Sequence, residues 1–229
     1  RAVSATQVAG AESVSLALTI DTTGQSAPGS PDLLAADDTG SSSTDNITAA
    51  VQPRFIVSLA SSGAATNDVV KVLNGSTVLG SATLTDGDVL AGQATVALSQ
   101  SLTSGAQSLT ARVDDRAGNT GTASTSLSVT LNTAVPNAPS PLLASSSDSG
   151  TMGDGITNST TPEIHGTGVN GQLVKLYDGS TYIGEANVTG GVWSITPGTA
   201  LAEGSHTFTV TATNEAGNVS VPSTALVVL

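Results

Sequence analysis

Short runs in which apolar and polar residues alternate recur along the whole chain. Arg54-Phe55-Ile56-Val57-Ser58-Leu59, Val69-Val70-Lys71-Val72-Leu73, Ala94-Thr95-Val96-Ala97-Leu98 and Ser108-Leu109-Thr110-Ala111-Arg112-Val113 are of this kind. A period of two places every second side chain on one face, which marks strands with one side in a core. Asp32 to Ala36 reads as a first strand, and Thr125 to Leu131 as a closing one. Asn74-Gly75 stands between two such runs and predicts a tight hairpin to Thr77-Val78-Leu79-Gly80. Asp86-Gly87-Asp88 reads as a further turn. No stretch has helical periodicity, so no helix is expected.

The pattern then repeats. Thr161 to Gly166, Leu173 to Tyr177, an Asp178-Gly179 turn, Thr181 to Gly184, Val192 to Ile195, His206 to Thr211 and Ser223 to Leu229 follow in the same order. Before the first set, Ser15 to Ile20, Asp21-Thr22-Thr23 and Ala27-Pro28 match Ser126 to Leu131, Asn132-Thr133 and Ala138-Pro139. The period is about 110 residues, long for a solenoid and suited to whole domains in series. Seven short strands per repeat predict an all-β protein of tandem immunoglobulin-like β-sandwich domains arranged end to end. The expected division is 1–27 as the end of a preceding repeat, 28–135 as one domain and 136–229 as the next. The chain opens on Arg1, as a piece of a longer protein does.

Composition narrows the function. Eighteen acidic and 6 basic residues give a formal net charge of −12. No basic stripe exists to neutralise phosphates, so nucleic acid is not an expected partner. No long apolar run is present, so no membrane span is expected. Cysteine is absent, which excludes a disulfide framework and Cys-based zinc. One acidic stretch recurs. Asp37-Asp38-Thr39-Gly40, a Ser/Thr run and Asp45-Asn46-Ile47-Thr48 return, one residue shorter, as Asp148-Ser149-Gly150-Thr151-Met152-Gly153-Asp154-Gly155-Ile156-Thr157. Carboxylates, hydroxyls and free carbonyls on a flexible loop suit a hard divalent cation, Ca2+ above all.

These motifs, with Leu102-Thr103-Ser104-Gly105 and Leu201-Ala202-Glu203-Gly204, and with Ala117-Gly118-Asn119 and Ala216-Gly217-Asn218, resemble bacterial Ig-like repeats of giant type I-secreted adhesins and biofilm-associated surface proteins. The resemblance implies a bacterial cell-surface, extracellular location, calcium at or near domain junctions, neighbouring Ig-like repeats as partners, and no catalysis. It covers the two complete repeats and the fragment that precedes them. The second departs from the first in its shorter loop and in Asn214 where the first has Asp115.

Topology assigns the candidate ligands to ends. With the acidic loop joining the first two strands, Asp37, Asp38, Asp45, Asn132, Asn214 and Asn218 converge on the junction between the repeats. Asp21, Asp114, Asp115 and Asn119 face a preceding domain, and Asp148 and Asp154 face a following one. If the loop packs below the first strand instead, the pairing changes and the ligand types do not.

Blander readings hold elsewhere. Asp86 and Asp88 are turn residues, Trp193, Phe55 and Phe208 core aromatics, and Tyr177 and Tyr182 a cross-strand pair. His165 and His206 lack metal-ligand spacing and read as strand-face packing. No nucleophile elbow or phosphate loop is present, so the segment is not expected to be an enzyme. The preferred function is a calcium-stabilised spacer, monomeric, in an adhesin stalk serving cell adhesion or biofilm formation. Host or surface glycans are then contacted by other parts of the parent protein. The alternatives are a glycan- or protein-binding module, which 2% aromatics disfavours, and an accessory module of a secreted polysaccharide-degrading enzyme.

Overall fold

A computed structural model describes residues 17–229. The fold is nearly all β, with two hydrophobic cores.

The first core lies between two sheets. One holds β1 (Pro31–Leu33), β3 (Arg54–Ser58) and β6 (Gln93–Ala97), with β3 central. The other runs β2-β8-β7-β4-β5, from β2 (Ile47–Thr48) through β8 (Leu127–Leu131), β7 (Gly105–Asp114) and β4 (Val69–Asn74) to β5 (Thr77–Thr83). Alternation does the sorting: Phe55 and Val57 on β3, Val70 and Val72 on β4, and Leu109, Ala111 and Val113 on β7 are wholly buried. Their neighbours in sequence are more exposed, as a period of two requires, except Leu73, which is buried where β4 shifts register against β5 between Val72 and Leu73. Gly75, at φ +58°, makes the hairpin turn that a Cβ would oppose.

The second core repeats the plan. β9 (Leu142–Leu143), β10 (Ile164–Thr167) and β13 (Val192–Ile195) form one sheet. β12 (Thr181–Asn187), β11 (Leu173–Asp178), β14 (His206–Thr213) and β15 (Leu226–Val228) form the other. Ile164, Val174, Leu176, Trp193, Phe208 and Val210 fill the space between. Trp193 donates its indole N–H to the Thr167 carbonyl at 3.2 Å, so its one polar atom is satisfied in the core.

Three expectations need correction. Asp86-Gly87-Asp88 opens a helix, α1 (Asp86–Ala91), where a turn and no helix were expected. Thr85 caps it: its hydroxyl accepts from Asp88 N at 3.2 Å, and the Asp88 carboxylate accepts from Thr85 N at 2.9 Å. This reciprocal box needs only local residues, and together with Val89, half-buried against the first core, it holds a helix that has no fully buried side chain. Second, Ile47-Thr48 is a strand, pairing parallel with β8. Third, of the strand expected over Ser15 to Ile20, Ser15 and Leu16 lie outside the described residues, and Ala17 to Ile20 carries no strand. Leu18 and Ile20 are exposed, and among the described residues no core packs against them.

No helix of the described residues is long and apolar enough to cross a membrane.

Candidate functional site

The first acidic loop leaves β1 through a tight turn, in which the Leu34 carbonyl accepts from Asp37 N and Asp38 N. The two adjacent carboxylates then part. Asp37 meets Arg54 at the start of β3, its Oδ2 accepting from Arg54 N (2.7 Å) and Nε (2.8 Å) and its Oδ1 from Nη2 (2.8 Å). That fork holds the Asp37 carboxyl below its ordinary pKa. Asp37 is thereby committed to the strand start.

Asp38 turns inward and is only 5% exposed. Its Oδ2 accepts from Asn46 N at 3.1 Å, while its Oδ1 is buried without a hydrogen-bond donor. Burial raises the Asp38 pKa above the usual carboxylate value, and the negative charge of Asp45 adds to the rise. Asp45 caps the next turn, accepting from Ile47 N at 3.0 Å. Asn46, at φ +60°, folds the loop back so that the two carboxylates face one another's charge. A cleft of about 250 Å³ beside Asp38 is lined by Ser43, Thr44 and Asn46 among others.

The second loop copies this pattern through different residues. Asp148 Oδ2 accepts from Gly153 N, and its Oδ1 is again buried without a donor. Asp154 accepts from Ile156 N at 2.9 Å, as Asp45 does from Ile47. Ser147 replaces Asp37, and its hydroxyl accepts from Glu163 N at 2.9 Å. The lost residue is absorbed by glycines at positive φ, with Gly155 (φ +72°) standing where Asn46 stood.

Thr39 and Gly40, next to Asp38, meet the second domain. Thr39 Oγ1 donates to the Ala216 carbonyl at 2.6 Å and accepts from Ala49 N at 2.7 Å. A Cβ on Gly40 would lie 1.8 Å from the Glu215 carbonyl oxygen, so only glycine allows this approach. Asn218 Nδ2 donates to the Asn132 carbonyl and Asn214 Nδ2 to the Ala134 carbonyl, both at 2.8 Å. The Ala-Gly-Asn loop thus grips both the acidic loop and the linker. Asn132, Asn214, Asn218 and the segment carrying Asp38 do converge.

At the other end of the first domain the same grip recurs in part. Asn119 Nδ2 donates to the Asp21 carbonyl at 3.1 Å. Asp115 stands where Asn214 stands and accepts from Asn119 N and Nδ2, both at 2.8 Å, which lowers its pKa. Asp21 Oδ1 accepts from Thr23 N. Asp114 takes no part: Lys71 Nζ (2.6 Å) and Arg112 Nε (3.0 Å) hold it on the sheet.

Thr39 and Gly40 were quoted from the sequence as part of the acidic motif, but no docking role was read for them. The signal was there, since Thr39-Gly40 recurs as Ser149-Gly150 in the same place.

Among the described residues no three His, Cys, Asp or Glu side chains gather into a group able to hold a metal ion. A cation at Asp38 and Asp45 would draw its other ligands from hydroxyls, carbonyls and water. The orphaned, buried Oδ1 fits that role: no hydrogen-bond donor reaches it, and a bare carboxylate oxygen is a ligand that a hard cation takes.

A search of curated proteins found no match. Among solved structures the chain is similar to the fibronectin(III)-like modules of CbhA from Clostridium thermocellum, at 17% identity over 80% of this chain and 86% of that one (TM-score 0.45). It is also similar to a Ca2+-stabilised adhesin that helps an Antarctic bacterium bind ice, at 18% identity over 89% of this chain and 48% of that one (TM-score 0.46). The family model of the bacterial Ig-like domain matches residues 25–133 and again 135–228. With those two consecutive matches spanning most of its length, the chain belongs to the bacterial Ig-like domain family.

Proposed function

We propose that this chain is a non-catalytic spacer of a bacterial surface adhesin, with Ca2+ bracing its loops beside the domain junction. One observation carries the reading: a buried Asp38 oxygen without a donor stands next to Thr39 and Gly40, which dock the following domain. Asp38 and Asp45 would hold the ion in the first domain, and Asp148 and Asp154 in the second. A bound Ca2+ would supply positive charge to carboxylates that otherwise repel one another.

The protein's own residues then transmit the effect. Fixing Asp38 fixes Thr39 and Gly40, because they follow it directly in the loop. A fixed Thr39 holds the Ala216 carbonyl, and through it the Ala-Gly-Asn loop and the second domain. The consequence is a joint that stiffens in calcium-rich surroundings outside the cell. An ion bound only by the folded form stabilises by mass action, about 2.7 kcal/mol at a hundredfold excess over its Kd. Calorimetric titration with Ca2+, and thermal unfolding in Ca2+ against chelator, test the proposal. Saturable binding and a raised Tm are expected, with magnesium a poor substitute because it demands a tighter octahedral shell. Identical melting curves in Ca2+ and chelator would refute it.

A further inference from the structure

The two domains carry one side-chain bridge written in two chemistries. In the first, Asn74 Nδ2 donates to Gln107 Oε1 at 3.1 Å, and Gln107 Nε2 donates to the Thr103 carbonyl at 2.7 Å. In the second, Asp178 and His206 hold the equivalent places at the end of β11 and the start of β14. His206 Nδ1 lies 2.6 Å from Asp178 Oδ2, and Nε2 lies 2.8 Å from the Ala202 carbonyl. Asp178 Oδ1 also accepts from Thr207 N at 3.0 Å. In both domains the carbonyl belongs to the turn four residues before the bridging side chain.

The amide version is complete at any pH, since each amide nitrogen carries its own hydrogens. The imidazole version is not. Both ring nitrogens face acceptors, a carboxylate and a carbonyl, and a neutral imidazole has a single N–H to share between them. Only the imidazolium satisfies both.

We propose that His206 is a proton-operated clasp that ties the Ala202–Gly204 turn to the sheet of the second domain, where the first domain has a clasp indifferent to protons. The surroundings contain no competing cation. Asp178 faces the ring from β11, and Glu203 lies on the turn beside it, lining the same cleft of about 370 Å³. Phe208 stacks on the ring at 6.0 Å, and β15 opposite contributes Leu226, Val227 and Val228, none of which titrates. The His206 pKa lies above its ordinary 6.5, through the Ala202 carbonyl first and Asp178 next, against a smaller opposing effect of burial. A folded pKa above the unfolded one adds stability that is complete below about pH 6.5 and is lost as pH rises through the folded value. The turn therefore loosens on the alkaline side.

The chain's one tryptophan, Trp193, lies in the core of this domain, so fluorescence-detected unfolding of the full chain reads this domain alone. At fixed Ca2+, its midpoint is expected to fall by several degrees from about pH 6 to about pH 9. The paired substitution Asp178→Asn with His206→Gln installs the first domain's bridge and is expected to flatten that dependence. Imidazole nitrogen NMR is the second measurement, with a short unstructured histidine peptide as the reference. Both His206 nitrogens should remain protonated at a pH where the peptide's imidazole has lost its proton. A His206 that titrates with or below the peptide, or a paired variant that keeps the full pH slope, would overturn the proposal.

Discussion

Asp37 and Asp38 are neighbours in sequence with opposite fates, and position relative to β3 decides between them. Asp37 reaches the Arg54 fork and is neutralised there. Asp38, one residue on, is buried with one oxygen bare. Its raised pKa means that the metal-free fold pays to keep it charged, so its stability falls as pH rises through the folded pKa. Asp38→Asn removes the charge and keeps an acceptor for Asn46 N. In chelator this variant should be more stable than the parent by about 1–3 kcal/mol, the scale of an unsatisfied buried group. In Ca2+ it should lose most of the metal-dependent gain in Tm; a gain equal to the parent's would exclude Asp38 as a ligand. Gly40→Ala tests the neighbour. A Cβ there collides with the Glu215 carbonyl and adds strain at φ +111°. Undocking should follow, at about 0.5–1.5 kcal/mol for each hydrogen bond lost. Nitrogen relaxation should then show two tumbling times in the variant and one in the parent. The recurrence of Asp38 and Asp45 made them legible in the sequence. The commitments of Asp37 and Asp114 were not, because each depends on a basic residue brought alongside by strand register.

At the scale of elements, alternation revealed every strand that carries core residues on one face, including β3, β4, β7, β11 and β14. It missed β2 and β9, which are two residues each and have no period to detect. It also missed α1, whose signal is the capping pair Thr85 and Asp88 and not any apolar stripe. No residue of the helix is fully buried and Leu90 is 90% exposed; Val89 alone packs, half-buried, against the first core, so much of the helix's stability rests on its ends. Thr85→Ala should therefore cost about 1 kcal/mol. Amide exchange over 86–91 should rise far more than exchange in β6, which follows it. Equal protection in variant and parent would show that the cap is idle. His206 was read as strand-face packing, and its polar role needed the carbonyl of Ala202 to come within reach.

At the scale of the molecule, the first core has seventeen buried members among the described residues and the second nine. Buried apolar surface dominates folding free energy, so the second domain should melt first. Trp193 fluorescence should then give a lower midpoint than far-ultraviolet dichroism, which averages both domains. Coincident transitions would mean that the junction couples the domains into one cooperative unit. That junction has one further property. Its hydrogen bonds from Thr39, Asn214 and Asn218 all end on main-chain carbonyls, those of Ala216, Ala134 and Asn132. Asn119 does the same at the carbonyl of Asp21. A carbonyl is offered by every amino acid, so the receiving side of the joint tolerates drift in its side chains. A duplicated or shuffled repeat would therefore meet the same acceptors in its new neighbour, provided that glycine is kept at the place of Gly40. Repeat number could then change without a new interface having to be invented at each seam.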